Sequence, residues 1–484
     1  MGTEFLAARD GMMLAQREWA TQLLRVRLAV IRRLRKRMAA AARELAETIP
    51  TRLPGALSRT VADSLVSEVL PLIEACRFLE REAENLLRTR TLEAEGRPVW
   101  LSGVEADVER APWGLVLVLA AGNYPLLLAG VQTIQALVAG NAVLWKPAPG
   151  TEDVAFALRG LLVESGLNSE LLTVLDASVE AATEAIAAGV DHVVLTGSAE
   201  TGKAVLRQLA ETLTPATMEL SGCDAVFVLP GADFGHTIQA LQFGLRFNGS
   251  FTCMAPRRVF LVGLAEARAA EFEVGLVQAL KRIAPVAVPA KTHVRLGEML
   301  ADAREQGGEI LLNGLGDGDG VGVTLIAWAT PAMLAMQTDV FAPVLSVMRT
   351  ADVGEALAAS AACPYALTAS VFGPEKDVRL LAGHLRVGNV LINDVVVPTA
   401  DPRIAFGGRG RSGFGVTRGA EGLLAMTVPK TIQRQRKFSK HAFAPTGAGH
   451  VEFFAAFALM LHGGGLWRRW SGLMRLLRAA RALK

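Results

Sequence analysis

Cysteine is scarce in this sequence, with four in 484 residues. None of Cys76, Cys223, Cys253 and Cys363 sits in a C-x-x-C pair, so a disulfide framework is excluded and a reducing compartment is expected. An excess of charge of either sign is also missing. Fifty Lys+Arg face 47 Asp+Glu, for a net charge of +3, too balanced for a chain that coats nucleic acid, so no nucleic-acid partner is expected. No run reaches the ~18 consecutive apolar residues of a membrane-spanning helix; residues 451–461 come nearest and fall short. The first ten residues carry no apolar signal-peptide core, and a cytoplasmic location is expected. There is no internal repeat.

What is present is a multi-domain length, about three units at a prior of ~150 residues each, with 51% hydrophobic residues. That content excludes disorder and collagen-like repeats. Residues 16–90 carry apolar side chains at three and four spacing and read as helices broken at Pro54-Gly55. Residues 99–110 alternate apolar and polar residues, the pattern of an exposed two-stranded ribbon. From Gly114 the texture changes to buried strands alternating with helices. Strands are predicted at 114–121, 142–145, 171–175 and 192–195, and helices at 126–139, 154–164, 180–188 and 199–211. This is the pattern of a doubly wound parallel sheet that binds a dinucleotide. A strand at 224–230 leads into a second α/β region reaching about residue 393, followed by a glycine-rich loop at 407–415 and a further extended stretch within 423–433.

Three segments carry candidate chemistry. Thr196 to Lys203 follows a buried strand and opens a helix, so its backbone N–H groups and the positive helix end can face a phosphate. Its G-x-x-x-x-G spacing is neither a G-x-G-x-x-G fingerprint nor a P-loop, and an ordinary strand-to-helix turn reads the same way. Cys253, within Phe247 to Pro256, has small and polar residues before it. It is either a thiol poised as a nucleophile or an inert buried side chain. Glu219, in Met218-Glu-Leu-Ser-Gly-Cys223, is a carboxylate among apolar neighbours that would raise its pKa toward general-base range, or else a solvated acid at a strand end. No metal site is suggested.

Taken in order, several motifs resemble the aldehyde dehydrogenase superfamily. They are Ala121-Gly-Asn-Tyr-Pro-Leu126, Ala139 to Pro147, Thr196 to Lys203, Glu219 to Gly222, the Cys253 segment, Asp339-Val-Phe-Ala-Pro-Val344, and Ile392-Asn-Asp394 with Phe406-Gly-Gly408 and Ser412-Gly413. The resemblance covers about two-thirds of the chain, and the co-linear succession is what makes it specific. It implies a dinucleotide-binding domain over 110–227 with N-terminal helices over 1–98, a catalytic domain over 228–407, and a small β oligomerisation element from 99–109 with 423–449. A homo-oligomer, dimer or tetramer, follows from it. It further implies Cys253 as nucleophile, Glu219 as base and Asn123 as oxyanion donor. NAD or NADP would lie along Lys146, Pro147, Gly197, Ser198, Gly202, Leu220, Asp339 and Phe341.

The departures from the family pattern are informative. Ala121-Gly122 replaces the usual Pro-Trp and removes an aromatic wall from the substrate tunnel. Ser250-Phe251 replaces Gly-Gln, and Cys223-Asp224 a common Lys-Ser/Asn pair. Asp339 replaces a ribose-binding glutamate with a side chain one methylene shorter. Pro149 stands where NAD-preferring members often carry a glutamate, which leaves NADP open.

The tail is a separate signal. Residues 450–484 hold six basic residues and one acid, and in 466–484 Leu466, Trp470, Leu473, Leu477 and Ala480 fall on one helical face, opposite Arg468, Arg475 and Arg478. Such a helix lies on an anionic membrane surface or packs on a neighbouring subunit, and it resembles the tail of fatty aldehyde dehydrogenases. The expected activity is NAD(P)-dependent oxidation of a hydrophobic aldehyde at the membrane. The alternatives are a CoA-linked acyl reductase working through the same thioester, and a non-catalytic membrane-bound scaffold.

Overall fold

The computed structural model describes residues 2–53, 56–316, 320–436 and 445–483. Pro54-Gly55, part of the proposed 423–449 element and the last residue of the tail lie outside them. Two compact units emerge: residues 1–89 with 109–430, and residues 90–108 with 431–484.

Among the described residues, the larger unit contains two large sheets and three two-stranded ones. Leu115–Leu119, the sequence LVLVL, is buried along its whole length, as a parallel strand covered on both faces requires. It pairs in parallel with Ala142–Lys146 on one side and His192–Gly197 on the other. Leu172–Val174 and Ala216–Leu220 extend the sheet outward, also in parallel. The first and fourth of these strands in chain order are therefore neighbours, which makes their carboxyl ends the topological switch point where such sheets bind ligands. The all-buried Leu127–Ala139 helix and the amphipathic Ala199–Ala210 helix follow two of these strands. N-terminal helices such as Leu24–Ala40 contribute Leu28, Val30, Ile31, Leu34 and Met38 to the same core.

Asp224–Val228 belongs to the other sheet. It lies between Pro256–Val262 and Thr368–Phe372, parallel to both, in a seven-stranded sheet. The change of sheet thus falls at residues 221–223, ahead of the boundary at 227/228 expected from the sequence. The two sheets place strand ends of opposite sense against each other. Glu219 lies near the carboxyl end of Ala216–Leu220, and Cys253 lies just before the amino end of Pro256–Val262. Gly222, in the crossing, donates its N–H to the Cys253 carbonyl at 3.1 Å.

The smaller unit contains most of a three-stranded sheet of Arg90–Leu92, Val104–Pro112 and Thr427–Gln435. The ribbon expected from Val99 onward begins later, because Val99–Leu101 is a 3-10 turn behind Pro98. The extended stretch expected within 423–433 is the strand Thr427–Gln435, reached through the end of the Gly419–Ala425 helix. The tail forms two helices, Gly449–His462 and Leu466–Ala482, packed on each other. No helix among the described residues is long and apolar enough to cross a membrane.

Gly413 pairs antiparallel with Glu219 itself. Its φ is +96°, and a Cβ there would fall 1.9 Å from the Met218 carbonyl oxygen. Gly413→Ala is expected to destabilise the chain by at least ~1–3 kcal/mol, the scale of one left-handed non-glycine residue, and to shift Glu219. A lowered melting temperature together with lost turnover, by differential scanning fluorimetry and assay, checks this.

Candidate active site

A cavity of about 780 Å³ opens at the switch point of the first sheet and runs to Cys253, lined by Asn123, Lys146, Ser198, Glu219 and Phe341 among others. The volume is that of a site for a large ligand. Strand ends position its walls. Lys146 ends Ala142–Lys146 and is half-buried, and burial lowers its pKa. Ser198 caps the Ala199–Ala210 helix by accepting from the Thr201 N–H at 3.1 Å, so the first turn of that helix directs N–H groups toward the cavity.

Asn123 is held from several sides. Its Nδ2 donates to the Phe251 carbonyl at 3.1 Å and its Oδ1 accepts from the Tyr124 N–H at 3.1 Å. Its own carbonyl accepts from Asn248 Nδ2 at 3.1 Å and from Arg59 at 3.4 Å. Arg59 in turn pairs with the fully buried Glu68 at 2.6 Å. The other oxygen of Glu68 accepts from the N–H groups of Leu126 and Leu127, at 2.7 and 3.0 Å, at the start of the next helix. This pairing offsets much of the cost of burying the two charges, and it braces the loop beneath Asn123.

The segment before Cys253 is also braced. Asn248, Gly249 and Ser250 all have positive φ, at 47°, 54° and 67°. Arg257 clamps the last of them, donating to Ser250 Oγ at 2.6 Å and to the Ser250 carbonyl at 2.8 Å. The same guanidinium reaches Asp339 at 3.3 Å, both side chains being buried. Asp339 thus lines the cavity with its carboxylate engaged by Arg257, and despite that partner burial lifts its pKa to about 6.

Glu219 is 2% exposed. Its Oε2 accepts from Thr417 Oγ1 at 2.5 Å, while its Oε1 has no partner among the described residues. Burial pushes its carboxyl above the usual range, opposed by the nearby positive charge of Arg418 and by the Thr417 bond. Burial also raises the half-buried Cys253 thiol, with the Glu219 and Asp224 carboxylates adding and Arg418 opposing. Glu219 and Cys253 line one cavity, which sets a carboxyl proton acceptor and a thiol proton donor in the same pocket.

The cavity brings together Asn123, Lys146, Gly197, Ser198, Glu219, Leu220, Cys253, Asp339 and Phe341. Pro147 and Gly202 are buried and do not line it. Gly202 instead lets its helix approach Leu220, whose Cδ1 would lie 2.8 Å from a Cβ at that position. Missed in the sequence were Arg59, Glu68, Asn248, Arg257, Thr417 and Arg418. The only available signal for Thr417 and Arg418 was their place after the glycine-rich loop.

Fold and site together define a dinucleotide-binding α/β oxidoreductase, and residues 3–432 match the model of the aldehyde dehydrogenase family; the chain belongs to that family of NAD(P)-dependent enzymes. It is 30% identical over 434 residues to a 4,4'-diapolycopene aldehyde oxidase of Methylomonas sp, spanning 87% of this chain and 80% of that protein. It is 25% identical to the 4,4'-diaponeurosporen-aldehyde dehydrogenase of Staphylococcus aureus, spanning 83% and 88%. Among solved structures, the NADP complex of an NADP-dependent glyceraldehyde-3-phosphate dehydrogenase from Bacillus halodurans superposes with a TM-score of 0.81, covering 90% of this chain and 92% of the other at 25% identity. The NAD+ complex of a Mycobacterium tuberculosis aldehyde dehydrogenase has the same fold, with a TM-score of 0.78 at 23% identity over 87% of each chain.

The hydrogen bond from Thr417 favours the ionised form of Glu219, so removing it should raise the carboxyl pKa further. In Thr417→Val the carboxyl band assigned by comparison with Glu219→Gln is expected to titrate at higher pH than in the parent, read by difference infrared spectroscopy.

Proposed function

We propose that this chain oxidises a hydrophobic, long-chain aldehyde to the carboxylic acid through a thioester on Cys253, while attached peripherally to a membrane. The observation that carries the chemistry is the unpartnered, buried Oε1 of Glu219 in the same cavity as the Cys253 thiol. Glu219 accepts the thiol proton, and the sulfur adds to the aldehyde carbon. The oxygen of the resulting thiohemiacetal takes its negative charge toward the Asn123 amide and the Cys253 N–H. The dinucleotide fits the rest of the cavity. Ser198 and the helix N–H groups suit the pyrophosphate, and Lys146 the adenosine ribose or a 2′-phosphate. Pro149, also in the lining, opposes neither nucleotide by charge.

When bound, the oxidised nicotinamide accepts the hydride that converts the thiohemiacetal to a thioester. Glu219 first passes the thiol proton to solvent and so becomes a carboxylate again; it then takes a proton from water, the hydroxide adds to the thioester carbon, and the C–S bond breaks to release the acid and restore the sulfur as a thiolate. This assignment favours hydrolysis over transfer to CoA, since a CoA thiol would not require a base buried beside the sulfur.

Two features support a hydrophobic substrate at a membrane. The parent compounds in the names of the two relatives are hydrocarbons. The Leu466–Ala482 helix buries Gly472 and Ala479 but leaves its large apolar side chains exposed, including Leu466 at 84%, Trp467 at 84% and Trp470 at 58%. An apolar stripe with arginines beside it suits an anionic lipid surface. Assembly into a homo-oligomer through the strands of the smaller unit completes the proposal.

Cys253→Ala should abolish turnover while nucleotide binding, followed by calorimetry, stays near the parent value. Glu219→Gln should slow both half-reactions, the first-turnover release of reduced cofactor and the hydrolysis of the acyl-enzyme, since both need a proton acceptor at this position. Turnover in Cys253→Ala, or parental deacylation in Glu219→Gln with CoA absent, overturns the mechanism.

Full-length protein should sediment with anionic liposomes at low salt and be released in part at high salt, each arginine near the surface adding about 1 kcal/mol. A chain ending at residue 448 should stay in the supernatant and keep activity on short aldehydes. Equal sedimentation of the truncated chain, or loss of its oligomer, would assign the tail to subunit packing.

A further inference from the structure

Arg418 stands out among the residues the mechanism above leaves unused. It is 9% exposed and sits at φ 60°, ψ 173°, a region populated almost only by glycine. Its Nη1 donates to the Thr399 carbonyl at 2.8 Å, and its guanidinium lies 4.4 Å over the Phe406 ring. Its Nε has no partner, and no carboxylate pairs with it directly among the described residues. A buried cation left this way costs free energy, and so does its backbone conformation. The charges that act on it belong to Glu219 and Cys253.

Resting on the reading that Cys253 and Glu219 do the chemistry, we propose that Arg418 is a positioning residue of the reaction. Locked between the Phe406 ring and the Thr399 carbonyl, it is the fixed positive charge that favours the thiolate of Cys253 and the carboxylate of Glu219. The neighbouring residue, Thr417, holds the second oxygen of Glu219, so one dipeptide presents both a hydrogen bond and a charge to the base. The other groups around the pair have the opposite sign or are engaged elsewhere. Asp224 and Asp339 face Cys253 and oppose its ionisation. Asp224 is bound by Thr368 at 2.5 Å, and Arg257 is committed to Asp339 and Ser250. Arg258 donates to the Cys223 and Ser360 carbonyls. Arg418 stands next in the chain to Thr417, whose hydroxyl bonds Glu219, with its own Nη1 donating to the Thr399 carbonyl and no carboxylate partner among the described residues.

The test measures alkylation of Cys253 by iodoacetamide against pH, with the labelled peptide quantified by mass spectrometry, alongside the pH profile of single-turnover deacylation. In Arg418→Gln both midpoints should move to higher pH, and a shift of one unit lowers alkylation about tenfold at a fixed pH below the midpoint. In Arg418→Lys, which keeps the charge, they should remain near the parent values. Lower stability or a raised KM in Arg418→Gln with both midpoints unchanged would overturn the proposal. Should Arg418→Gln fail to fold, Arg418→Lys decides, since a shift of a full unit there would mean that retained charge is not what sets the midpoints. Failure of the underlying mechanism looks different, because parent enzyme fully alkylated at Cys253 would then still turn over.

Discussion

Glu219 lies at the seam of two mostly parallel sheets, sealed from water, with one oxygen bonded to Thr417 and the other buried without a partner among the described residues. Burying a carboxylate in this state is unfavourable, and much of the surrounding structure compensates for it. Thr417 reaches it from the segment after the glycine-rich loop, Gly413 lets a strand close against its backbone, and Arg418 supplies a charge from the same turn. The crossing at residues 221–223 then carries the chain directly into the second sheet, so Glu219 and Cys253 lie near adjoining strand ends.

The two halves of the cavity use different physics. On the nucleotide side, polarity comes from strand ends, a helix N-terminus and one half-buried lysine, all near solvent. On the cysteine side it comes from buried pairs, Arg59 with Glu68 and Arg257 with Asp339, which stiffen the loops carrying Asn123 and Cys253. Aromatic side chains such as Phe251 and Phe341, packed edge to face at 5.5 Å, add apolar surface to this side.

Much of the fold was legible in the sequence because parallel strands announce themselves. Runs such as LVLVL at 115–119 and HVVL at 192–195 have no polar face to spare, and the helices between them keep a clear apolar period. Cys253, Glu219 and Asn123 were visible as motifs, and the structure brings them to one cavity. Residues that act by closing buried networks were not visible. Arg59 lies 64 positions before Asn123 and 9 before Glu68, and no periodicity links the three. Arg257 looks like one of two ordinary arginines at the start of a strand until its fork is seen on Ser250. Arg418 could not be singled out, since its backbone conformation is one a sequence would assign to glycine. The tail helix was read correctly as amphipathic, but which of its faces meets the Gly449–His462 helix was decided by small residues, Gly472 and Ala479, and not by the apolar stripe.

The three successive left-handed residues at 248–250 bear on how such a site can change over generations. Gly249 adopts that conformation without strain and Asn248 at little cost, so Ser250 depends most on the Arg257 contacts that hold it there, with Asn248 fixed by its bond to the Asn123 carbonyl. A drift at any one of these positions leaves the others in an unfavourable shape. Asn248, Ser250, Arg257 and Asp339 should therefore be inherited as a block, exchanged together between descendants or kept together. The cavity walls at Ala121, Gly122 and Pro149 lie outside that block, and their inheritance is not tied to it.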